Sequence, residues 1–174
     1  MPFKQLMALH DDDGSGRQLL WAAAMLHSCG QHINIGAYHK HSWYLIRHGD
    51  LLGYSDSEHL MVAAIARYHR RSLPKKRHEA WQLIDGREQR RTVASMALLL
   101  RLAAALDRRP QATVAGIQVR REGGNTCVVR LEPMAADLDL SLERWSLQAC
   151  QSAVEEAVGV KLKVLEPERV SPGS

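Results

Sequence analysis

A mainly α chain with a small β-containing tail is what this sequence predicts, and three observations predict it. Aromatic residues make up only 5% of a chain that is 45% hydrophobic. The core must therefore rest on Leu, Ala, Val, Ile and Met, which favours helices packed on helices. Apolar patterns with helical start and stop signals recur as far as Asp107. Beyond Pro110 the pattern changes to alternation in twos around EGGN, the mark of a β-hairpin. The predicted order is about six helices followed by β-β-α-β. Residues 1–110 form the helical domain, 111–168 a small subdomain packed on it, and 169–174 a flexible tail.

Each element has its own signal. Residues 3–10 read as the last turns of a helix, stopped by DDDGSG. Arg17 to His27 is helical, with Leu19, Leu20, Ala23, Met25 and Leu26 giving it an apolar character, and Gly30 and Gly36 punctuate its end. Tyr38 to His48 forms the next helix, closed by Gly49. Ser55 followed three residues later by Glu58 is a capping box, so a helix starts near Asp56. Pro74 ends the loop behind it, and Lys76 to Ile84 is a short helix. Glu88 to Asp107 is the longest and most apolar helix, expected in the middle of the core. Thr113–Arg120 and Thr126–Glu132 are the hairpin strands. Ser141 to Val158 is one amphipathic helix with Ser141 as its cap and Gly159 just past its end. Val160–Leu165 is a last strand.

Composition bounds the function. The 174 residues carry 23 Lys+Arg against 19 Asp+Glu, a mild net charge of +4 whose distribution matters more than its size. Cys29, Cys127 and Cys150 are odd in number and lack CxxC spacing, which argues against a disulfide framework and for a reducing compartment. The start, MPFKQLMALHDDDG, does not read as a signal peptide. The longest apolar run, Val93 to Leu106, is broken by Arg101 and falls short of the roughly 20 residues of a membrane span. The expectation is a soluble, cytoplasmic protein with no membrane partner.

Most of the nine histidines fall between His27 and His69. His27 ends a helix as L-H-S-C-G, His39 and His41 sit in Y-H-K-H-S early in the next, and His69 sits in R-Y-H-R at the end of the following one. A helical bundle can bring such positions to one mouth. Imidazoles gathered there suit a transition metal or, when protonated, a phosphate. Each taken singly is as well explained by a solvated or hydrogen-bonded side chain at a helix end.

These residues carry a resemblance. LLWAAAMLHSCGQHIN resembles the helix of metal-dependent HD phosphohydrolases that ends in L-H-D-x-G, and LLLRLAAALDRR resembles their last helix. With GAYHKHSWYLI and LLGYSDSEHLMVAAIARYHRR between them, the series is similar to the C-terminal region of the exopolyphosphatase/guanosine pentaphosphate phosphohydrolase (Ppx/GppA) family over roughly residues 3–165. The resemblance implies an HD-like helical bundle. It also marks departures: Ser28 stands where the metal-bridging Asp would be, and Ala104 where metal-binding members have the second Asp. His10 lies too close to the loop to replace the histidine of the truncated first helix. Carboxylates offset the charge of a hard divalent cation and help hold a metal-bound water at lowered pKa, and Ser28 and Ala104 can do neither. No cofactor is expected. His27, His39, His41 and His69 are the candidates for adventitious Zn or Ni.

In the resembled family, phosphatase chemistry belongs to an N-terminal actin-like domain pair with a glycine-rich phosphate loop. Neither DDDGSG nor EGGN fits a phosphate cradle between strand and helix. By itself the chain is expected to be non-catalytic. RYHRRSLPKKRH then becomes the candidate binding element: Arg67, His69, Arg70, Arg71, Lys75, Lys76 and Arg77, with His78, form a run without an acid. Clustered Arg and Lys receive phosphate oxygens, although a solvated charged loop has the same composition. The expected partners are polyphosphate or a phosphorylated nucleotide, with a homodimer or a missing actin-like phosphatase domain as protein partners. Nucleic acid is a poorer fit, because only Tyr68 offers an aromatic ring among these cations.

Two alternatives stay open: a divergent metal-dependent HD phosphohydrolase with a histidine-rich site, and a structural partner-binding module. Arg87, Arg90, Arg91, Arg108 and Arg109 either widen the basic patch or keep the chain soluble. Trp21, Trp43 and Trp81 are expected in core or subunit packing, and Tyr38 and Tyr44 in packing near the histidines, with hydrogen bonds around the histidine mouth as the alternative. Asp107 is expected to cap or to pair with a nearby Arg.

Overall fold

A computed structural model of the chain describes residues 15–165. They fall into two compact units, 15–104 and 105–165. The expected helix at 3–10, His10 and the tail at 169–174 lie outside the described residues. The chain is mainly α, with one small three-stranded sheet, in agreement with the predicted class.

The first unit opens with α1, Ser15–Leu26. Leu19, Leu20, Ala22 and Ala23 form its buried stripe, while Trp21 is 62% and Met25 66% exposed. Trp21 therefore does not belong to the core. It stands two residues past Leu19, about 200° round the helix, and so points away from that stripe. A 3₁₀ turn, Cys29–His32, leads to α2, Tyr38–His48, which ends as expected at Gly49 with its N–H bonded to the carbonyls of Leu45 and Ile46. Trp43 of α2 is buried and Tyr44 is exposed, its ring 4.5 Å from that of His48.

Helix α3, Asp56–Tyr68, starts with the predicted capping box. The Ser55 hydroxyl oxygen accepts from Glu58 N–H (3.4 Å), and the Glu58 carboxylate accepts from Ser55 N–H (2.8 Å). The Ser55 hydroxyl, which also donates to the Glu58 carboxylate at 2.7 Å, and then the Ser55 N–H hold that carboxyl below its ordinary pKa. Every residue from Met61 to Ala66 is buried, so α3 is covered on all its faces, a position that its small alanines permit.

The helix expected over Lys76–Ile84 shrinks to α4, Glu79–Gln82. A turn takes the preceding residues, with His78 N–H bonded to Lys75 C=O (2.9 Å) and Lys75 N–H to His78 Nδ1 (3.3 Å). Trp81 at this helix is half-buried, with the Arg90 guanidinium 6.0 Å from its ring centre. Helix α5, Arg87–Leu106, buries Val93, Met96 to Leu100 and Leu102, as its long apolar pattern requires.

In the second unit, β1 (Val114–Glu122) and β2 (Thr126–Pro133) form the predicted antiparallel hairpin, with Glu122 opposite Thr126 across the turn. Gly124 in that turn has φ 77°, a conformation that favours glycine. Strand β3, Lys161–Val164, pairs with β2 in parallel, giving the order β1-β2-β3.

Between β2 and β3 the expected single helix is two: α6, Ser141–Gln148, and α7, Gln151–Val158. Cys150 N–H bonds to Leu147 C=O, three residues back, which tightens the last turn of α6 and redirects the chain. Ser141 is not the cap. Leu140 occupies that position, and the Asp139 carboxylate accepts from both the N–H and the hydroxyl of Ser141. Gly159 ends α7 in the left-handed region, as predicted.

Arg109 also departs from its expected place on a basic surface. Its Nε lies 3.1 Å from Oε1 of Glu143, a residue with no exposed surface, and the Thr113 hydroxyl donates to the same oxygen at 3.1 Å. Buried charge requires such a partner. Asp107 is exposed.

Candidate functional site

The histidine mouth is built by three segments of the first unit. Behind it, Gly30 packs so closely on α2 that an added Cβ would collide with the Tyr38 carbonyl oxygen, the Ser42 nitrogen and the His41 carbonyl carbon. Only glycine fits there. The Ser42 hydroxyl, fully buried, donates to His27 C=O (2.7 Å) and accepts from Gly30 N–H (3.0 Å). One side chain thus ties the end of α1 to the start of α2, and fixes where His27 and Tyr38 stand.

His27 and His69 meet edge to face with ring centres 4.9 Å apart. His69 Nδ1 lies 2.6 Å from Ala66 C=O, and a carbonyl only accepts, so the proton sits on Nδ1. Nε2 must then accept, and the Tyr38 hydroxyl donates to it at 3.0 Å. Both ring nitrogens of His69 are occupied, and burial, more than any neighbouring charge, pushes its pKa down to about 3. By the same reasoning His27 Nδ1 donates to Ala24 C=O at 2.7 Å. His39 is also buried, and its pKa falls to about 4 through burial first, then Arg67, Arg70, Lys40 and Arg71.

Three of the four histidines therefore come together. His39 and His69 flank the Tyr38 ring and His27 packs on His69, while His41 is half-buried. Among the described residues, no group of three or more His, Cys, Asp or Glu side chains is arranged to hold a metal ion. Ser28 caps the 3₁₀ turn, its carbonyl accepting from Gln31 N–H, and Ala104 is a half-buried methyl. The Nε2 lone pair of His69 is engaged by the Tyr38 hydroxyl, and neither Ser28 nor Ala104 supplies a carboxylate.

The cations of RYHRRSLPKKRH lie beside this cluster. Arg70 places its guanidinium 4.5 Å from the Tyr38 ring centre. Arg71, Lys75, Lys76 and Arg77 are exposed, Arg67 and Arg70 half-buried. His78 has its pKa lowered by burial, then by Arg67, Arg77, Lys75 and Lys40. Arg67, Arg70 and Arg71 thus lie near enough to His39, and Arg67, Arg77 and Lys75 near enough to His78, to disfavour their protonation. His69, in contrast, is sealed beneath them and presents no nitrogen to a ligand.

Sequence reasoning missed two contributors, Lys40 and Arg101, and ranked a third, Tyr38, for packing ahead of hydrogen bonding. Lys40, in Y-H-K-H, joins the basic cluster because α2 starts beside the end of α3. Tyr38 holds the His69 tautomer. Arg101, read as a break in an apolar run, donates to the carbonyls of Tyr68 (3.1 Å), His69 (3.1 Å) and Arg71 (2.9 Å), closing the C-terminus of α3. Arg71 takes φ 64°, unusual for a side chain of its size, in the loop so held. The sequence signal for Arg101 is a lone charge inside an otherwise apolar helix, which demands a partner.

A family model described as "Ppx/GppA phosphatase, domain III" matches residues 3–151. A guanosine-5'-triphosphate,3'-diphosphate pyrophosphatase of Pseudoalteromonas translucida (strain TAC 125) is 43% identical over 61 residues, which cover 35% of this chain and 12% of the relative. A protein of the same description from Pseudoalteromonas atlantica (strain T6c / ATCC BAA-1087) is 33% identical over 105 residues, covering 60% of this chain and 20% of the relative. The matched stretches thus span a fifth or less of these curated relatives. With most of its length matched by that one domain, the chain belongs to the Ppx/GppA phosphatase family.

Proposed function

We propose that this chain is an accessory domain of the Ppx/GppA phosphatase family, non-catalytic by itself, that binds the phosphates of polyphosphate or of a phosphorylated nucleotide. The observation that carries the proposal is the cationic cluster at the end of α3. Arg67, Arg70, Arg71, Lys75 and Arg77, joined by Lys40, act together on His39 and His78, and no carboxylate is among the groups that shift either histidine. Among the described residues no carboxylate pairs with these cations, and such a surplus on a held loop favours a polyanion over a single carboxylate. His69 drops out of the binding set, leaving Arg67, Arg70, Arg71, Lys75, Lys76 and Arg77 with Lys40. In this reading the domain performs no chemistry on the phosphates, since Ser28 and Ala104 supply no carboxylate to help hold a metal-bound water. The names of the curated relatives, which specify a guanosine polyphosphate, support a ligand of this class.

The test is a titration of the chain with medium-length polyphosphate at two salt concentrations, for the native protein and for the variant Arg70→Ala/Arg71→Ala/Lys75→Ala/Lys76→Ala. Binding should weaken with salt in both, and by at least about tenfold in the variant. Equal affinity of the two proteins refutes the basic loop as the binding element.

A further inference from the structure

The turn that follows α3 has its peptide groups sorted by direction. Arg101 draws three carbonyls to one guanidinium: its Nε donates to His69 C=O (3.1 Å), and its Nη2 to Tyr68 C=O (3.1 Å) and Arg71 C=O (2.9 Å). In a trans peptide the C=O and the N–H of the next residue point in opposite directions. The N–H groups of Arg70 and Ser72 share peptides with the His69 and Arg71 carbonyls, and so are turned away from Arg101. Neither has a hydrogen-bond partner among the described residues. A continuing helix would bond Arg70 N–H to Ala66 C=O, but the His69 ring occupies that carbonyl at 2.6 Å. The turn is not sealed: Arg71 is exposed, and Arg70 and Ser72 are half-buried. Within two residues the backbone passes from right-handed His69 (φ −64°, ψ −14°) to left-handed Arg71 (φ 64°), where glycine is the ordinary occupant. Turns that set successive N–H groups to one side form concavities that suit an anion.

We infer that the Arg70–Ser72 turn is a seat for one phosphoryl group, whose oxygens accept from the N–H groups of Arg70 and Ser72, and that Arg101 is the positioning residue that keeps those donors facing outward. The inference rests on the proposed phosphate binding and adds backbone donors to the side-chain cations. The surrounding charge fits, since no acid occurs from Arg67 to His78. By taking the carbonyls, Arg101 also removes the oxygens that would repel an anion at this turn. Flexible side-chain cations attract anions of any shape. Two N–H groups held by one backbone turn favour a compact centre that carries several oxygens, which a phosphoryl group supplies.

The experiment titrates the isotope-labelled full chain with tripolyphosphate, followed by calorimetry and by NMR of the backbone amides, at salt raised to screen simple attraction. In the native protein the amide protons of Arg70 and Ser72 should move downfield further than any others in residues 69–78. At saturation they should exchange at least about tenfold more slowly. Arg101→Met should weaken binding at least about fivefold and abolish both shifts, with the circular dichroism unchanged. Arg101→Lys should do the same, because an ammonium keeps the charge but not the fork that gathers three carbonyls. Binding and shifts restored by lysine would reduce Arg101 to a charge and overturn its positioning role. Tight binding in which the Arg70 and Ser72 amides move no more than their neighbours overturns the seat and leaves the basic loop standing. A native chain that does not bind tripolyphosphate overturns both readings, so the two failures are distinguishable.

Discussion

The Tyr38 hydroxyl and His69 Nε2 decide the character of the histidine cluster between them. Changing Tyr38 to Phe leaves a buried imidazole acceptor unpaired, which costs about 1–3 kcal/mol. Urea unfolding should record that loss, and an unchanged midpoint would show that the hydrogen bond contributes nothing. The same burial predicts a pH dependence. His69 and His39 have folded pKa values of about 3 and about 4, below the ordinary 6.5. Their stabilising effect is therefore complete above 6.5, where folded and unfolded forms are both neutral. It is lost as pH falls, because the unfolded chain takes up protons first. Each histidine contributes a slope of up to about 1.4 kcal/mol per pH unit below 6.5, and only His69 continues to do so below 4. Unfolding measured from pH 7.5 to 5 should show stability falling, with a shallower fall in His39→Gln. Gly30 belongs to this scale too. In the sequence it reads as helix punctuation, because a glycine required by a close approach from twelve residues away looks no different from one required by a turn. The histidines were visible as a cluster-in-waiting. The phenol that satisfies one of them was visible only as an alternative to packing, since its role depends on which nitrogen Ala66 occupies.

At the level of elements, the devices written in local sequence proved the most legible: the Ser55–Glu58 box, Gly49 and Gly159 as stops, and the turn in EGGN. Each acts within four residues of itself, so spacing alone reveals it. Those that act across the fold were hidden. The break between α6 and α7 uses no glycine or proline, only a tightened turn that any residue can adopt, and periodicity ran straight through it. Arg109 looked like a surface cation because its partner, Glu143, lies 34 residues further on. Removing that cation strands a fully buried carboxylate, so Arg109→Met should destabilise the second unit by about 3–5 kcal/mol. A loss of less than 1 kcal/mol in thermal or urea unfolding would mean that the carboxylate finds other support. The Arg101 clamp makes a different prediction. With Arg101→Met the loop carbonyls of α3 lose a charged donor. Hydrogen exchange at residues 69–73 should accelerate, while the middle of α3, buried from Met61 to Ala66, keeps its protection. Uniform acceleration along the helix would indicate general destabilisation instead of a released loop.

For the molecule as a whole, the net charge of +4 says little, and its gathering near the end of α3 says more. That gathering is also where polyphosphate and nucleic acid part company. Single strands gain about 1–3 kcal/mol per base from stacking on aromatic platforms. Here Tyr68 has no exposed surface and the Tyr38 ring is covered by Arg70, so the rings beside the cations are closed to bases. A DNA oligonucleotide can therefore use only its backbone charge, at one negative charge per nucleotide and with wide spacing. Polyphosphate offers the same charge in a shorter, more flexible chain, and meets several cations of one loop at once. Polyphosphate should displace a fluorescent oligothymidine from the chain at concentrations at least about tenfold below those at which unlabelled oligothymidine of equal charge does so, with no preference among base compositions. Equal potency of the two competitors, or a clear preference among bases, would mean that the cluster reads something other than phosphate density, and the assignment of this surface to phosphate chains would fail with it.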